Sequence, residues 1–463
     1  MNTAGGAEAR GNWWLGVWLA GAYLVTHGVL IYQSLGPGTS GANDVRLYAW
    51  WVQESDRSGL WLGIDSPWVY PVGALAPILL ASILGTGTAY LPTWCAMVAL
   101  INLATAVVVV RRFGVTRAAA PLVGWFVFLM LLGPCGIGRL DAIMMPLVLI
   151  ALVVASARPA LASILLTFGA WIKVSAGAAL IPLLAVVGAW RSRLRQVLIP
   201  AASTCVAVVL LQFAAGGQWR FLTSFVGAET DRGLQIEAVL ATPVVLAHAA
   251  KGEALAVWNS TLSTNETWGA GADVAVRVSD IAMPLAVLAV GALVWRARRQ
   301  TTAALLTGTL AMMSGLIVTH KVGSPQFVAW LAPAVVVGLC VGRRLKFWLP
   351  VGIASLVMAA LTGWLYPWGY VPFISGDRLM LAVWVVRNAL LVAVFAFAVV
   401  ELVRLGRPGL SAAGDLHAGS AQADPDGAAG GTHDGDGLGP SPASDAPGPA
   451  VLVRDTGNGC LGT

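Results

Sequence analysis

Apolar stretches recur along almost the whole chain, separated by short polar segments. A run of about 17–25 such residues crosses a bilayer core as a helix. Backbone polar groups must be satisfied inside lipid, so many such runs in one chain mean a helical bundle. The pattern predicts spans over about 13–34, 91–110, 119–134, 141–156, 159–174, 175–190, 197–214, 278–295, 301–319, 325–342, 347–366 and 381–403. The pair over 159–190 also reads as one long tilted helix. The first run, Trp13 to Leu35, is too long for the apolar core of a signal peptide, and no A-x-A-like cleavage site follows it. It reads as a retained span.

One further run, "VYPVGALAPILLASILG" over 69–85, is decided by charge. Basic clusters stand at Arg111, Arg112 and Arg117, at Arg191, Arg193 and Arg195, at Arg296, Arg298 and Arg299, at Arg343, Arg344 and Lys346, and at Arg404 and Arg407. Cytoplasmic ends of spans collect Lys and Arg, so an even number of crossings must separate consecutive clusters. From span 1 to Arg111 the count closes only if one run does not cross. The 69–85 run is short and holds two prolines, and it is expected to lie in the interface. The fold class is therefore an all-α polytopic membrane protein of about 12 spans, with both termini cytoplasmic.

The acids follow the same division. Of the 14 up to residue 400, 13 fall on the outer side and only Glu8 inside. The orientation rule counts Lys and Arg, so this segregation was not built in; longer outer loops would also produce part of it. The long loops, about 36–68 and 215–277, are both outer, and chemistry is expected on that face.

Composition closes off other classes. The chain of 463 residues is 57% hydrophobic and 11% charged, against about 25% charged in soluble proteins. Its net charge of +6 sits at span ends, which excludes a nucleic-acid partner. The five cysteines are scattered without metal-ligand spacing and read as small hydrophobes. No metal and no cofactor is called for. Residues 1–12 read as a cytoplasmic N-terminus and 13–404 as the membrane domain. Residues 405–463, rich in Gly, Ala, Asp, Pro and Ser, read as a disordered cytoplasmic tail. His417 and His433 in that tail are too isolated for a metal site. Asn259 and Asn265 stand in N-x-S/T patterns that matter only in a eukaryotic secretory pathway. The Ala, Gly, Val and Arg bias points instead to a GC-rich bacterial genome, hence to a multi-pass protein of a bacterial plasma membrane.

Candidate chemistry gathers where spans emerge outside. Asp44 lies about ten residues beyond span 1, followed by Arg46, Tyr48 and "WWVQ". Trp50 and Trp51 read as headgroup-level anchors. Asp44 reads either as a solvated loop acid or as a general base for a sugar hydroxyl. In "THKVGSPQFVAW", His320 and Lys321 form a basic pair on the outer face, with Gln326 just beyond. They suit an anionic group such as a phosphate, or Lys321 snorkels to lipid headgroups. Lys173 stands inside the apolar run "GAWIKVSAGAALIPLL", where a charge marks a site by default. Arg139 and Asp141 in "GPCGIGRLDAIMM" open span 4, either as part of that site or as an internal salt bridge. Arg220, beside Trp219, marks another outer span end. Arg139, Lys173, Arg220, His320 and Lys321 together make an outer basic ring, with Asp44 the nearest base.

The series "NDVRLY", "YPVGALAP", "GRLDAIMMPLVLIAL", "GAWIKVSAGAALIPLL" and "HKVGSPQFVAWLAP" resembles the actinobacterial GT-C glycosyltransferases of family 87, the polyprenol-phosphate-mannose-dependent α-mannosyltransferases. The resemblance covers about residues 13–400. It implies a GT-C-like bundle whose first outer loop carries the catalytic Asp and interfacial helices. It matches Asp44 to that Asp, His320 to a His near the donor phosphate, and Lys173 to the Lys of a "K-V-T-P"-like stretch. Two positions depart. Tyr70-Pro71-Val72 stands where Tyr-Pro-Pro is common, and Gly138-Arg139-Leu140-Asp141 where Gly-Gln-x-Asn is common. The second departure replaces an amide pair with a charged pair at the outer face and bears on the choice of sugar and acceptor.

The expected activity is an inverting transfer of a sugar, by resemblance mannose, from a polyprenyl-phosphate donor to an outer-leaflet glycolipid or cell-envelope glycan. Asp44 is the expected catalytic base. Lys173, His320, Lys321 and Arg139 are expected at the donor phosphate. Arg46, Tyr48, Tyr70, Asp141, Arg220 and Gln326 are expected in the substrate pocket. The alternative is a transporter or lipid flippase, which predicts internal repeats and ionisable groups at the midplane. No repeat is visible, and the ionisable residues gather at one face.

Overall fold

The computed structural model describes residues 13–36, 42–230, 232–260 and 262–407, without the side chain of Glu229. The expectations for residues 1–12 and for the tail beyond 407 fall outside the described residues. The described chain is predominantly helical, with connecting loops and one short antiparallel hairpin, β1 (Val257–Asn259) with β2 (Thr264–Glu266). The helices are α1 (Trp13–Leu35), α2 (Asn43–Ser58), α3 (Leu75–Ala81), α4 (Tyr90–Phe113), α5 (Val115–Leu132), α6 (Asp141–Val154), α7 (Pro159–Ile172) and α8 (Leu180–Val186). They continue as α9 (Ile199–Ala214), α10 (Thr242–Lys251), α11 (Ala270–Ala297), α12 (Thr301–Thr319), α13 (Ala332–Val341), α14 (Leu345–Gly363) and α15 (Arg378–Leu405). Shorter helical segments of three to seven residues and connecting loops complete the path.

Among the described residues, 8 helices are long and apolar enough to cross a membrane. They fall at eight of the twelve expected spans. The other four positions are held by shorter apolar segments, Asp141–Val154, Pro159–Ile172, Val174–Val186 and Pro325–Val341. Fourteen helical residues rise about 21 Å, less than a hydrocarbon core of about 30 Å. Irregular backbone is tolerated at that depth only where protein surrounds it. That condition holds for α6 and α13, whose residues are nearly all buried. The 69–85 run forms α3 between two 3-10 turns, a shorter apolar segment over Val72–Leu84 that is not among the eight long helices.

The 159–190 stretch is broken at Lys173, whose extended backbone (φ −152°, ψ 122°) ends α7. The chain folds back there through a 3-10 segment, Val174–Ala179. Small residues permit the reversal: Gly169 lies against Ala176, and Gly177 against Ala170. The expected long loop over 215–277 is shorter than its sequence implied. The helix α11 begins at Ala270, not near 278, and the loop contains α10 and the hairpin.

Contacts sort the two ends of the bundle. At one end Arg193 stands over the Trp295 ring at 4.4 Å, Arg344 pairs with Glu401, and Gly406 packs on Arg296. These are the clustered cations of the sequence. At the opposite end lie the start of α6, the reversal at Lys173, the end of α12 and the start of the segment leading into α13. The start of α6, the reversal and the segment leading into α13 are joined through the Asp141 pairs with Lys173 and Trp330 and the Lys173 contact with the Phe327 ring. The candidate site therefore sits at the end away from the basic clusters.

Candidate active site

The helix α2 carries the first component. It is amphipathic: Val45, Tyr48, Ala49, Val52 and Ser55 are buried, while Arg46, Leu47 and Trp50 face outward. Asp44 lies in its first turn, where a carboxylate complements the helix dipole. Gly59, in the left-handed region (φ 72°), stops the helix. Tyr48 stacks on Trp51 and tilts against Trp94, with ring centroids 5.5 and 5.2 Å away. Trp51 is thereby an inward packing residue, while Trp50 keeps the exposed position expected of an anchor. Burial, then the neighbouring Tyr70 and the Asp141 charge, push the Tyr48 phenol well above its ordinary range.

The turn from Gly138 to Asp141 links two charge systems. Arg139 forms an ion pair with Asp44, and its guanidinium lies 6.0 Å from the centre of the Tyr366 ring. Two residues on, Asp141 is buried and receives two donors. Lys173 Nζ approaches Oδ2 at 2.7 Å, and Trp330 Nε1 donates to Oδ1 at 2.6 Å. Lys173 also stands 4.7 Å from the Phe327 ring centre and 5.7 Å from that of Trp330, rings stacked at 4.2 Å. An ammonium on aromatic faces beside a carboxylate is held without being fully desolvated.

The segment His320–Pro325 closes the far side. Val322 N–H donates to His320 Nδ1 at 2.8 Å, which leaves Nε2 as the protonated ring nitrogen. Burial first, then the positive charges of Arg232, Lys173 and Lys321, push the His320 pKa down to about 4, with Asp280 opposing. At neutral pH His320 is an uncharged donor. Lys321 is 5% exposed and turned aside: its Nζ donates to the Thr230 carbonyl at 2.9 Å and lies 3.5 Å from Asp280. Gln326 is buried, and its Oε1 has no hydrogen-bond partner among the described residues.

The residues of this turn and loop were expected together, and the structure joins Asp44, Tyr48, Tyr70, Arg139, Asp141, Lys173 and His320 through direct or near contacts. It leaves two expected residues elsewhere. Arg46 points from the other face of α2 into a recess of about 210 Å³ shared with Gln53 and Tyr90. Arg220 is exposed, with its guanidinium 4.6 Å from the Phe221 ring centre. A helical residue two positions from another points away by about 200°, which explains Arg46.

A second network had not been singled out. Tyr370 donates to Glu237 Oε1 at 2.6 Å and accepts from Asn265 Nδ2 at 3.0 Å. Arg387, 2% exposed within α15, donates to the Glu237 carbonyl, to Thr362 Oγ1 and to Asn388 Oδ1. Burial raises the Glu237 pKa, with Tyr370, Arg387 and Arg139 opposing. A charge inside the apolar run "AVWVVRNALLVAV" was the signal for Arg387. Glu237 had no comparable signal, since its partners come from segments more than a hundred residues away. The loop of His320 is tied to this network: Gln235 N–H donates to the Lys321 carbonyl at 3.0 Å, and Gly323 N–H to Gln235 Oε1 at 3.2 Å. A side chain at Gly323 would collide with the Glu237–Ala238 backbone.

Residues 68–319 match the family model of Glycosyltransferase family 87, more than half of the chain. The chain belongs to glycosyltransferase family 87. It is a membrane glycosyltransferase, and the transporter alternative falls away with that membership. The matched range includes Tyr70, Arg139, Asp141, Lys173 and Glu237 and is narrower than the 13–400 of the sequence resemblance. Asp44, His320, Lys321 and Gln326 lie outside it, joined to it by the contacts above. No curated protein and no solved structure matches the chain.

Proposed function

We propose that this family 87 glycosyltransferase moves mannose, with inversion, from a polyprenyl-phosphate donor to a glycolipid or glycan in the outer leaflet of a bacterial plasma membrane. The active site faces outward and both termini face the cytoplasm. The separation of the site from the basic clusters supports that orientation.

The acceptor hydroxyl attacks the anomeric carbon. The bond from that carbon to the phosphate oxygen breaks, and the hydroxyl proton passes to the Asp44 carboxylate. The leaving group is polyprenyl phosphate: the donor diester carries one negative charge, and the broken bond's electron pair leaves a second on the departing phosphate oxygen. Fixed donors aimed at that phosphate lower the barrier, since they need no reorganisation during the step. His320 offers its Nε2–H. Lys173 keeps one N–H on Asp141 and has two more to offer. Lys321 acts at longer range through its charge, because its own donors are directed to Thr230 and Asp280. Tyr48, Tyr70 and the Phe327–Trp330 pair supply apolar and aromatic walls for the sugar.

The observation that carries this reading is the Arg139–Asp141 turn. One end holds the carboxylate Asp44, and the other holds the ammonium Lys173 with His320 behind it. A base and a phosphate-binding set joined by one short turn fit what the reaction requires. The test supplies the full-length protein in lipid nanodiscs with polyprenyl-phosphate-[14C]mannose or with a nucleotide-linked mannose, and a membrane glycolipid extract as acceptor. Label entering glycolipid from the polyprenyl donor alone supports the proposal. Transfer from the nucleotide donor, or from neither, contradicts it.

A further inference from the structure

The cations around the site differ in how firmly they are held. Lys173 neutralises Asp141, whose side chain is 3% exposed, so withdrawing it would strand a charge in the interior. Lys321 is 6% exposed in its side chain and donates to a backbone carbonyl. Arg139 pairs instead with Asp44, whose side chain is 23% exposed. That carboxylate loses little when its partner leaves, because water takes the partner's place. The Arg139 Nε is buried without a hydrogen-bond partner among the described residues, so the guanidinium is not satisfied by the pairing. The remaining groups facing it are Tyr366 and the Glu237 carboxyl.

An Asp44 oxygen engaged by a guanidinium is not open to a substrate hydroxyl. A phosphate monoester or diester offers that same guanidinium two oxygens in a planar fork, a better match than one carboxylate oxygen. We propose that Arg139 exchanges partners during the catalytic cycle. In the free enzyme it covers Asp44. When the donor enters, it turns onto the phosphate oxygens, and only then is Asp44 exposed as the base. The base is thus released by the donor, so the acceptor is not deprotonated at a site without one. This rests on the polyprenyl-phosphate reading given above.

The exchange makes Asp44 a competitor of the phosphate for Arg139, and a double-mutant cycle measures that competition. The probe is a short-chain polyprenyl monophosphate, titrated into the full-length protein in nanodiscs and followed by tryptophan fluorescence. Asp44→Asn frees the guanidinium and is expected to tighten binding about tenfold, within the usual range of coupling energies. Arg139→Gln is expected to weaken binding by a similar factor. In the Asp44→Asn/Arg139→Gln double variant the gain from Asp44→Asn disappears. A gain that persists there reflects bare repulsion between Asp44 and the phosphate and overturns the exchange, as does an Asp44→Asn protein that binds like wild type. Arg139→Lys keeps the charge if the glutamine variant does not fold; it loses the fork and is expected to bind more weakly than wild type, and equal affinity overturns the proposal. Failure of wild type and all variants to bind the monophosphate overturns the donor reading itself, and the exchange with it.

Discussion

Lys173 Nζ lies 2.7 Å from Asp141 Oδ2, at the residue where α7 ends and the chain turns into a 3-10 segment. The break and the ion pair explain each other. An unpaired ammonium in the middle of an apolar helix is expensive, and reversing the chain at Lys173 brings it to a buried carboxylate at the end of the bundle. Removing one partner of such a pair costs about 3–5 kcal/mol because the other charge is left uncompensated. Asp141→Asn is therefore expected to lower the thermal unfolding temperature in detergent, and Lys173→Met in the same background to recover part of the loss. An unchanged unfolding temperature for Asp141→Asn would mean that the pair contributes little.

His320 sets a pH signature. Its folded pKa is about 4 and its unfolded value near 6.5. Between these the unfolded chain binds the proton and the folded one does not, so stability rises with pH across that window. Acidification from about 6.5 towards 4 therefore destabilises the fold, by up to roughly 3 kcal/mol from this group. His320→Gln keeps an N–H donor and removes the titration. The gap in unfolding temperature between pH 7.5 and pH 5 should be smaller in His320→Gln than in wild type. An equal gap would place the titrating group elsewhere.

Gly323 is the contact point between the His320 loop and the Glu237 segment. A methyl group there meets backbone rather than a movable side chain. Gly323→Ala is expected to cost at least about 1–3 kcal/mol by overpacking. It should also lower transfer by displacing His320, read by thermal unfolding together with the glycosyl-transfer rate. Wild-type behaviour in both would show that the loop has room to shift.

Much of this was legible in the chain. Charge parity set the 69–85 run apart from the expected spans, and it forms none of the eight long helices. A Lys inside an apolar run signalled a buried partner, and Lys173 pairs with Asp141. Three kinds of information were not local. The residue pairs Arg139 with Asp44 and Asp141 with Lys173 could not be told from a single Arg139–Asp141 salt bridge, because both members look alike in sequence. The side of α2 on which Arg46 falls follows from the helix starting at Asn43, a boundary no capping residue announced. The Glu237 network is built from loops and helices distant along the chain, and hydrophobic pattern says nothing about such pairings. Four expected spans proved to be short segments, and the hydrophobic pattern did not show that Asp141–Val154 and Ala332–Val341 would be buried among other helices.

The proposed mechanism stands on Asp44 as the base of the transfer reaction. Its most direct measurement is the single-turnover rate from polyprenyl-phosphate-mannose to the glycolipid acceptor, wild type against Asp44→Asn, with both proteins shown to be folded and to bind polyprenyl phosphate. A general base contributes about 100- to 10,000-fold, so the variant should be slower by at least about 100-fold. A rate within about twofold of wild type, less than a general base contributes, would mean that Asp44 is not the base.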